Sequence, residues 1–126
     1  CKFNFCTVMK LISVVYFLIG VLLGLYMSIA HNYMLTGVHV HINLLGWMSL
    51  VVAGILYKLY PHLENTAVAK IHFWLHNLGL PVMMGGLTLV LLGYRGIVVL
   101  VSIGSMAVVL GIVFFVYNVL ANLSKN

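Results

Sequence analysis

Four long apolar runs limit what this chain can fold into. They cover residues 9–30, 37–59, 67–92 and 97–123, and each is long enough for the roughly 20 helical residues that cross a hydrocarbon core. Backbone amides and carbonyls in lipid have to be satisfied within their own segment, which favours helices. The sequence therefore predicts an all-α integral membrane protein, an antiparallel bundle of four transmembrane helices joined by short loops.

Charge supports this class of protein. The chain is 64% hydrophobic and 6% charged, with Glu64 as its single acidic residue, whereas a soluble domain carries about 25% charged residues. The formal net charge is +5, but the six basic residues are scattered and lie near the ends of the apolar runs. We therefore expect membrane lipid around the helices and no nucleic-acid partner.

The basic residues also predict an orientation. One side of the predicted bundle carries five of them and the other side carries one: Lys2, Lys10, Lys58, Lys70 and Lys125, against Arg95. By the positive-inside rule, both termini and the 61–66 loop are expected in the cytoplasm, across a bacterial inner membrane. Residues 1–8 precede a methionine and are interpreted as an N-terminal extension to a single haem-binding domain over 9–126.

Four of the six histidines lie inside the predicted helices: His39, His41, His72 and His76. An ionisable or ligand-forming side chain within a membrane span is a functional hypothesis. His39 and His41 are two residues apart, so they point about 200° apart on a helix and are not expected to hold one metal ion together. Each can serve a different cofactor, or one can ligate while the other forms a hydrogen bond. His72 and His76 are four apart and share a face.

Depth within the bundle tests the simplest shared site. Counted from the 61–66 loop, His41 lies about 30 Å up its helix and His76 about 15 Å up the next one. This offset is large for two imidazoles on one iron, so a single haem between them is not expected. Met83 and Met84 lie about 25 Å up, near the height of His41.

The outer level offers other ligands. His31 also falls there, and both histidine–methionine and bis-histidine haem ligation occur in proteins, the latter also across a subunit interface. The methionines at this level are also candidate ligands of a soft copper site. They are Met27, Met34, Met83 and Met84. Each methionine taken singly is also typical of an apolar core.

Small residues predict where helices approach closely. Gly20 and Gly24 form a GxxxG pattern in the first run, and Ala107 and Gly111 have the same spacing in the fourth. Such residues let helix backbones meet in a membrane. We expect this packing within the bundle, with dimerisation as the alternative.

The second and third runs resemble part of a known family. The stretches HVHINLLGWMSLVVAGILYKLYPHL and IHFWLHNLGLPVMM are similar to helices ten and eleven of haem–copper oxidase subunit I, and most similar to cbb-type oxidases and nitric oxide reductases. The residues that carry the resemblance are His39 and His41, Leu45-Gly46-Trp47, Gly54 with Tyr57, Pro61, His72-Phe73-Trp74, and Leu78-Gly79.

The resemblance implies one or two haem b groups. It implies that His39 is the ligand of a high-spin haem and His41 the ligand of a low-spin haem. The family's subunit has many more helices, however, and its copper histidines have no counterpart here. The second axial ligands would come from a partner chain or from other residues of this one: His31, His72, His76, Met83 and Met84. His72 matches a position of the family motif to which no ligand role is assigned. His76 has no counterpart in that motif.

The leading functional hypothesis is a small membrane b-type haem protein that acts in electron transfer or in binding nitric oxide or oxygen. A homo-oligomer is expected, with a respiratory electron donor or oxidase as a partner. Trp47 and Asn77 are further cofactor-binding candidates, as is Asn43. A metal-bound imidazole usually donates its other N–H to a polar partner, although Asn43 and Asn77 could equally bond between helices.

Two alternatives stay open. One is a copper- or haem-handling assembly protein for a respiratory oxidase, and the other is a structural subunit without a cofactor. Oxidoreductase activity is left open, but complete oxygen reduction and proton pumping are not expected. A transmembrane proton path usually uses buried acids, and Glu64 lies in a predicted loop.

Overall fold

The structure is a computed structural model that describes residues 5–125, and it contains four long helices. They are α1, Phe5–Ala30, α2, Thr36–Leu59, α3, Ala67–Leu91, and α4, Val98–Asn122. All four are long and apolar enough to cross a membrane, and residues 5–125 contain no strand. The predicted all-α class with four membrane helices is confirmed, and the chain is an integral membrane protein.

The outside of the bundle is apolar. Large hydrophobic side chains are exposed along every helix, among them Leu18 at 59%, Met106 at 71% and Leu120 at 81%. A contiguous apolar surface of this extent does not occur on soluble monomers. Lipid is therefore the solvent that this surface fits.

Small residues bring α3 and α4 into close contact. A Cβ atom added to Gly104 would lie 2.5 Å from the backbone nitrogen of Met83, and one added to Gly79 would lie 2.9 Å from the Cβ of Ala107. A Cβ on Gly111 would lie 3.0 Å from the Cβ of Leu75. The predicted close packing of Ala107 and Gly111 within the bundle is confirmed.

The helices pair as two hairpins. Helix α1 packs along α2, and α3 packs along α4, while fewer contacts join one hairpin to the other. Gly20 and Gly24 of α1 meet side chains of α2, namely Asn43 and His39. The GxxxG pattern of α1 therefore packs inside the bundle as expected.

Helix α1 begins at Phe5, earlier than the predicted residue 9. Cys6 and Met9 are fully buried, and the Cys6 amide donates a hydrogen bond of 2.7 Å to Glu64 Oε2. A carboxylate beside the first amides of a helix is stabilising, because those amides have no partner within the helix. Of the predicted extension over 1–8, residues 1–4 lie outside the described part of the chain and residues 5–8 belong to α1.

The connections follow simple local rules. Pro61–Glu64 forms one helical turn after α2, and the Ala69 amide donates to Thr66 Oγ1 at 3.1 Å. Thr66 is therefore the N-cap of α3. Gly93 adopts a φ of 112°, a conformation that glycine adopts without strain, in the turn between α3 and α4.

Two apolar clusters lie at the two ends of the bundle. The loop-side cluster consists of Cys6, Met9, Leu50, Ala53, Tyr57, Leu63, Ala69 and Phe73. The opposite cluster consists of Val38, Ile42, Leu80, Met83, Met84 and Val108. Along α3, the buried residue His76 lies between the members of the two clusters.

Candidate functional site

Helix α2 changes its winding directly after the His-x-His pair. Residues Thr36–His41 are α-helical, Ile42–Met48 form a π-helix, and Ser49–Leu59 are α-helical again. At the end of the π-helical stretch, the Ser49 amide bonds to the Leu44 carbonyl five residues back. Short π-helical segments are frequent at functional sites, and here the segment separates the two histidines from the rest of α2.

His39 lies between α1 and α2. Its Nδ1 is 2.8 Å from the carbonyl oxygen of Gly20, and its Cε1 lies 2.8 Å from the Cβ that an alanine at Gly24 would carry. A carbonyl can only accept, so Nδ1 carries the proton in the neutral ring and the Nε2 lone pair is left for another partner. The His39 ring fits between the helices because Gly20 and Gly24 of α1 have no side chains at this point.

Asn43 supports the same part of α2. Its Nδ2 donates to the His39 carbonyl at 2.8 Å and also lies 3.3 Å from His39 Nδ1. Because His39 Nδ1 is itself a donor to Gly20, the bond to the carbonyl is the one that we assign to Asn43. This bond lies within α2 and is therefore not the bond between helices that was the alternative for Asn43, and it places the amide next to the imidazole.

His41 points into different surroundings. Its ring is exposed, and its Nδ1 is 2.7 Å from the carbonyl oxygen of Gly37 on the same helix. The same reasoning puts the proton on Nδ1 and leaves Nε2 open. The expectation that His39 and His41 face different sides is confirmed: one ring lies against α1 and the other lies at the surface of the bundle.

The tautomer of both rings is the one that metal-binding histidines commonly have. Such histidines usually donate one ring N–H to a carbonyl or carboxylate, which orients the ring and raises the basicity of the other nitrogen. His39 and His41 each meet this condition through a backbone carbonyl. Both are therefore suited to bind a metal through Nε2, on separate sides of α2.

A second histidine arrangement is buried between the hairpins. Tyr57 Oη lies 2.8 Å from His72 Nδ1, His72 Nε2 lies 3.1 Å from His76 Nδ1, and His76 Nε2 lies 2.9 Å from the Leu45 carbonyl oxygen. The side chains of Tyr57, His72 and His76 are each about 1% exposed. We call this series of bonds the histidine chain.

The Leu45 carbonyl determines the direction of the whole histidine chain. It can only accept, so His76 donates from Nε2 and accepts at Nδ1. His72 then donates from Nε2 and accepts from the Tyr57 hydroxyl at Nδ1. Both nitrogens of both rings are thereby committed, so a ligand role for His72 or His76 would require the chain to break.

The predicted methionine ligands lie in the apolar core. Met83 and Met84 belong to the opposite cluster together with Val38 and Ile42, so their expected height near His41 is confirmed. Their thioethers are packed among aliphatic side chains. His31 is exposed at the end of α1 with a φ of 50°.

Trp47 and Asn77 lie on different parts of the bundle. Trp47 stacks on Phe17 with ring centroids 4.6 Å apart. Asn77 donates from Nδ2 to the Phe73 carbonyl at 2.8 Å, and its buried Oδ1 has no hydrogen-bond partner. Their predicted roles near a cofactor stay predictions.

Within residues 5–125, no three side chains of the types His, Cys, Asp and Glu come together as a metal site. The predicted copper site also contains methionines, which are not among these residue types, so copper binding stays a prediction. Axial ligation of haem iron needs only one or two protein ligands, so this finding does not bear on haem.

The sequence did not point to the histidine chain. Tyr57 and His72 are on different helices, and the acceptor of His76 is a backbone carbonyl in the π-helical stretch, for which the sequence has no visible signal. The fourfold spacing of His72 and His76 did predict that these two rings would share a face. Comparison of the chain with protein-family models, with curated proteins and with solved structures finds no match.

Proposed function

We propose that this chain is a small membrane b-type haem protein in which His39 and His41 are axial ligands. Its work would be electron transfer or the binding of a diatomic gas such as nitric oxide or oxygen. One observation carries the proposal. Both imidazoles donate Nδ1–H to a backbone carbonyl and keep the Nε2 lone pair uncommitted, at 2.8 Å from Gly20 O and 2.7 Å from Gly37 O.

The two buried histidines support the assignment by contrast. His72 and His76 have no uncommitted ring nitrogen, whereas His39 and His41 each have one. The resemblance of the HVHINLLGW stretch to haem–copper oxidase subunit I agrees with this choice of ligands. It also agrees with two ligands that serve separate irons.

The residues around each imidazole have positioning roles. The Gly20 and Gly37 carbonyls orient the two rings through Nδ1, and Asn43 holds the His39 carbonyl. When bound, a haem would supply one-electron chemistry at a potential set by its axial ligands and surroundings. The protein's part is to present Nε2 of a neutral imidazole at a defined angle.

The exposure of His41 bears on partners. A group bound at Nε2 of His41 would lie at the surface of the bundle, where a second copy of this chain or a respiratory partner would complete its surroundings. We therefore include a homo-oligomer in the proposal. The lysine distribution supports cytoplasmic termini in a bacterial inner membrane.

The visible spectrum of the purified protein tests the proposal. The protein is expressed in haem-sufficient bacteria, purified in detergent, and measured before and after reduction. We expect a Soret band with reduced α-bands, and a loss of haem in His39→Ala and in His41→Ala. His62→Ala is the matched control, because His62 bonds to the Asn122 carbonyl through Nε2 at 2.8 Å and is not assigned a ligand role.

Three results would refute the haem assignment. The first is a colourless, metal-free preparation, and the second is a haem spectrum that both variants leave unchanged. The third is a colourless protein that retains copper, which would favour the metal-handling alternative. Carbon monoxide then separates the two forms of the proposal: a spectral shift indicates an open iron position and gas binding, and no shift indicates electron transfer.

A further inference from the structure

A cavity of about 330 Å³ lies between α2, α3 and α4. This is near the lower end of the volumes of small-molecule sites, which run from about 300 to 1,000 Å³. Three of its lining residues are exposed on the outside of the bundle: Met48 at 51%, Val52 at 44% and Val116 at 48%. The cavity therefore opens towards lipid, and its occupant would enter from the membrane.

The lining excludes charged occupants. No Lys, Arg, Asp or Glu lines the cavity, and an ion taken from water into such a site without a partner pays a large desolvation penalty. The walls are apolar apart from Ser49, His72 and His76. A neutral molecule that is largely apolar fits this lining.

Two polar groups at the cavity are able to recognise such a molecule. His76 presents an Nε2–H donor, whose present acceptor is the Leu45 carbonyl at 2.9 Å. Ser49 donates its hydroxyl proton to the Leu44 carbonyl at 2.8 Å, so its oxygen keeps lone pairs that can accept. A ligand oxygen can thus receive a hydrogen bond from His76 in place of the Leu45 carbonyl.

Aromatic side chains line one side of the same cavity. The rings of His72 and Phe115 lie 4.8 Å apart with an interplanar angle of 33°. Flat rings pack well against such surfaces, in offset or edge arrangements. This wall favours a ring over a flexible acyl chain.

We propose that this cavity binds a neutral, lipid-soluble ring bearing a carbonyl oxygen, of the quinone class, which accepts a hydrogen bond from His76 Nε2–H. Tyr57 and His72 are positioning residues for this bond. Tyr57 donates to His72, and His72 donates to His76 Nδ1, which is the direction that keeps the His76 proton on Nε2. The occupant of the cavity would accept this hydrogen bond in place of the Leu45 carbonyl. The site contains neither His39 nor His41, so its binding needs no haem.

Binding is measured with the full chain in lipid nanodiscs. The probe is a decyl-substituted benzoquinone, and the matched probe is decylbenzene, which has the ring and the chain but no oxygen. With ¹⁵N-labelled histidine, we expect the benzoquinone to bind saturably and to shift the Nε2 resonance of His76. Decylbenzene should bind far more weakly and leave that resonance in place. Equal binding of both probes would overturn the proposal, because the cavity would then be a non-specific apolar groove.

Variants locate the site. Val116→Trp fills the mouth of the cavity and should weaken benzoquinone binding by about tenfold or more, since overpacked sites accommodate extra volume poorly. Val113→Trp is the matched control, on the same helix at a position that is 55% exposed and does not line this cavity. If Val116→Trp binds as tightly as Val113→Trp, the probe lies elsewhere and the proposal fails.

Tyr57→Phe tests the positioning role. Tyr57 lies outside the cavity lining, so a loss of benzoquinone binding in this variant would come through the histidine chain. We expect weaker benzoquinone binding together with altered ¹⁵N signals that report the tautomers of His72 and His76. Unchanged affinity and unchanged tautomer signals would show that Tyr57 has no such role.

Discussion

Replacing Gly24 by alanine tests the assignment of His39 without touching the histidine itself. Gly24 lies on α1, and the added Cβ would lie 2.8 Å from His39 Cε1 and 3.4 Å from His39 Nδ1. Carbon atoms in favourable contact are about 3.5–4.0 Å apart. Because the imidazole is the mobile partner, the ring has to retreat while the two helices keep their packing.

The required movement is large enough to break the orienting hydrogen bond. A retreat of about 0.7 Å restores a normal carbon contact. The same movement would lengthen the His39 Nδ1 to Gly20 O distance from 2.8 Å to about 3.5 Å, beyond the usual range for an N–H···O bond. Loss of such an orienting partner typically costs about 10–100-fold in metal affinity or activity.

Haem titration of the apoprotein measures this effect. We expect Gly24→Ala to weaken binding at His39 by about 10–100-fold, which corresponds to about 1.4–2.8 kcal/mol. Gly85→Ala is the matched control, because nothing lies within 4 Å of a Cβ added there and both changes raise helix propensity alike. Equal haem affinity in the two variants, with both folded, would refute the placement of the ligand at His39.

Three further predictions concern the stability of the bundle. Gly104→Ala places a Cβ 2.5 Å from a backbone nitrogen of α3. We expect the free energy of unfolding of this variant in bicelles to be about 1–3 kcal/mol lower than that of Gly85→Ala. Equal stability of the two variants would contradict the close α3–α4 contact. Tyr57→Phe leaves His72 Nδ1 without a donor and should cost about 1–3 kcal/mol, which a denaturation curve matching the wild type would disprove. Glu64→Ala removes the acceptor of the Cys6 amide and should speed amide hydrogen exchange in the first turn of α1, with Asn65→Ala, at an exposed position, as the control that leaves it unchanged.

Much of the fold could be predicted from the sequence because lipid imposes a simple rule. Apolar runs of membrane length have to become helices, and the predicted runs match α1 to α4 within a few residues. The close contact at Gly24 could also be predicted, because small residues four apart on a membrane helix let a second helix approach. The sequence did not predict that α1 includes residues 5–8, where the Cys6 amide bonds to the carboxylate of Glu64, 58 residues away in the chain.

The candidate site was predictable only in part. The twofold spacing of His39 and His41 gave their separate directions, because helix geometry alone sets them. The tautomers depend on which carbonyl each ring meets, and Gly20 belongs to a different helix from His39. The histidine chain depends on how the two hairpins pack against each other, which periodicity does not reveal.

In the proposed function, haem iron is bound through Nε2 of His39 and of His41. The most direct measurement is pulsed electron paramagnetic resonance of the oxidised, membrane-reconstituted protein labelled with ¹⁵N only at histidine Nε2. We predict strong hyperfine coupling from directly bound ¹⁵N in the wild type, and its loss in the double variant His39→Ala, His41→Ala. A haem signal that keeps this coupling in the double variant, or a wild-type haem without it, would contradict the account.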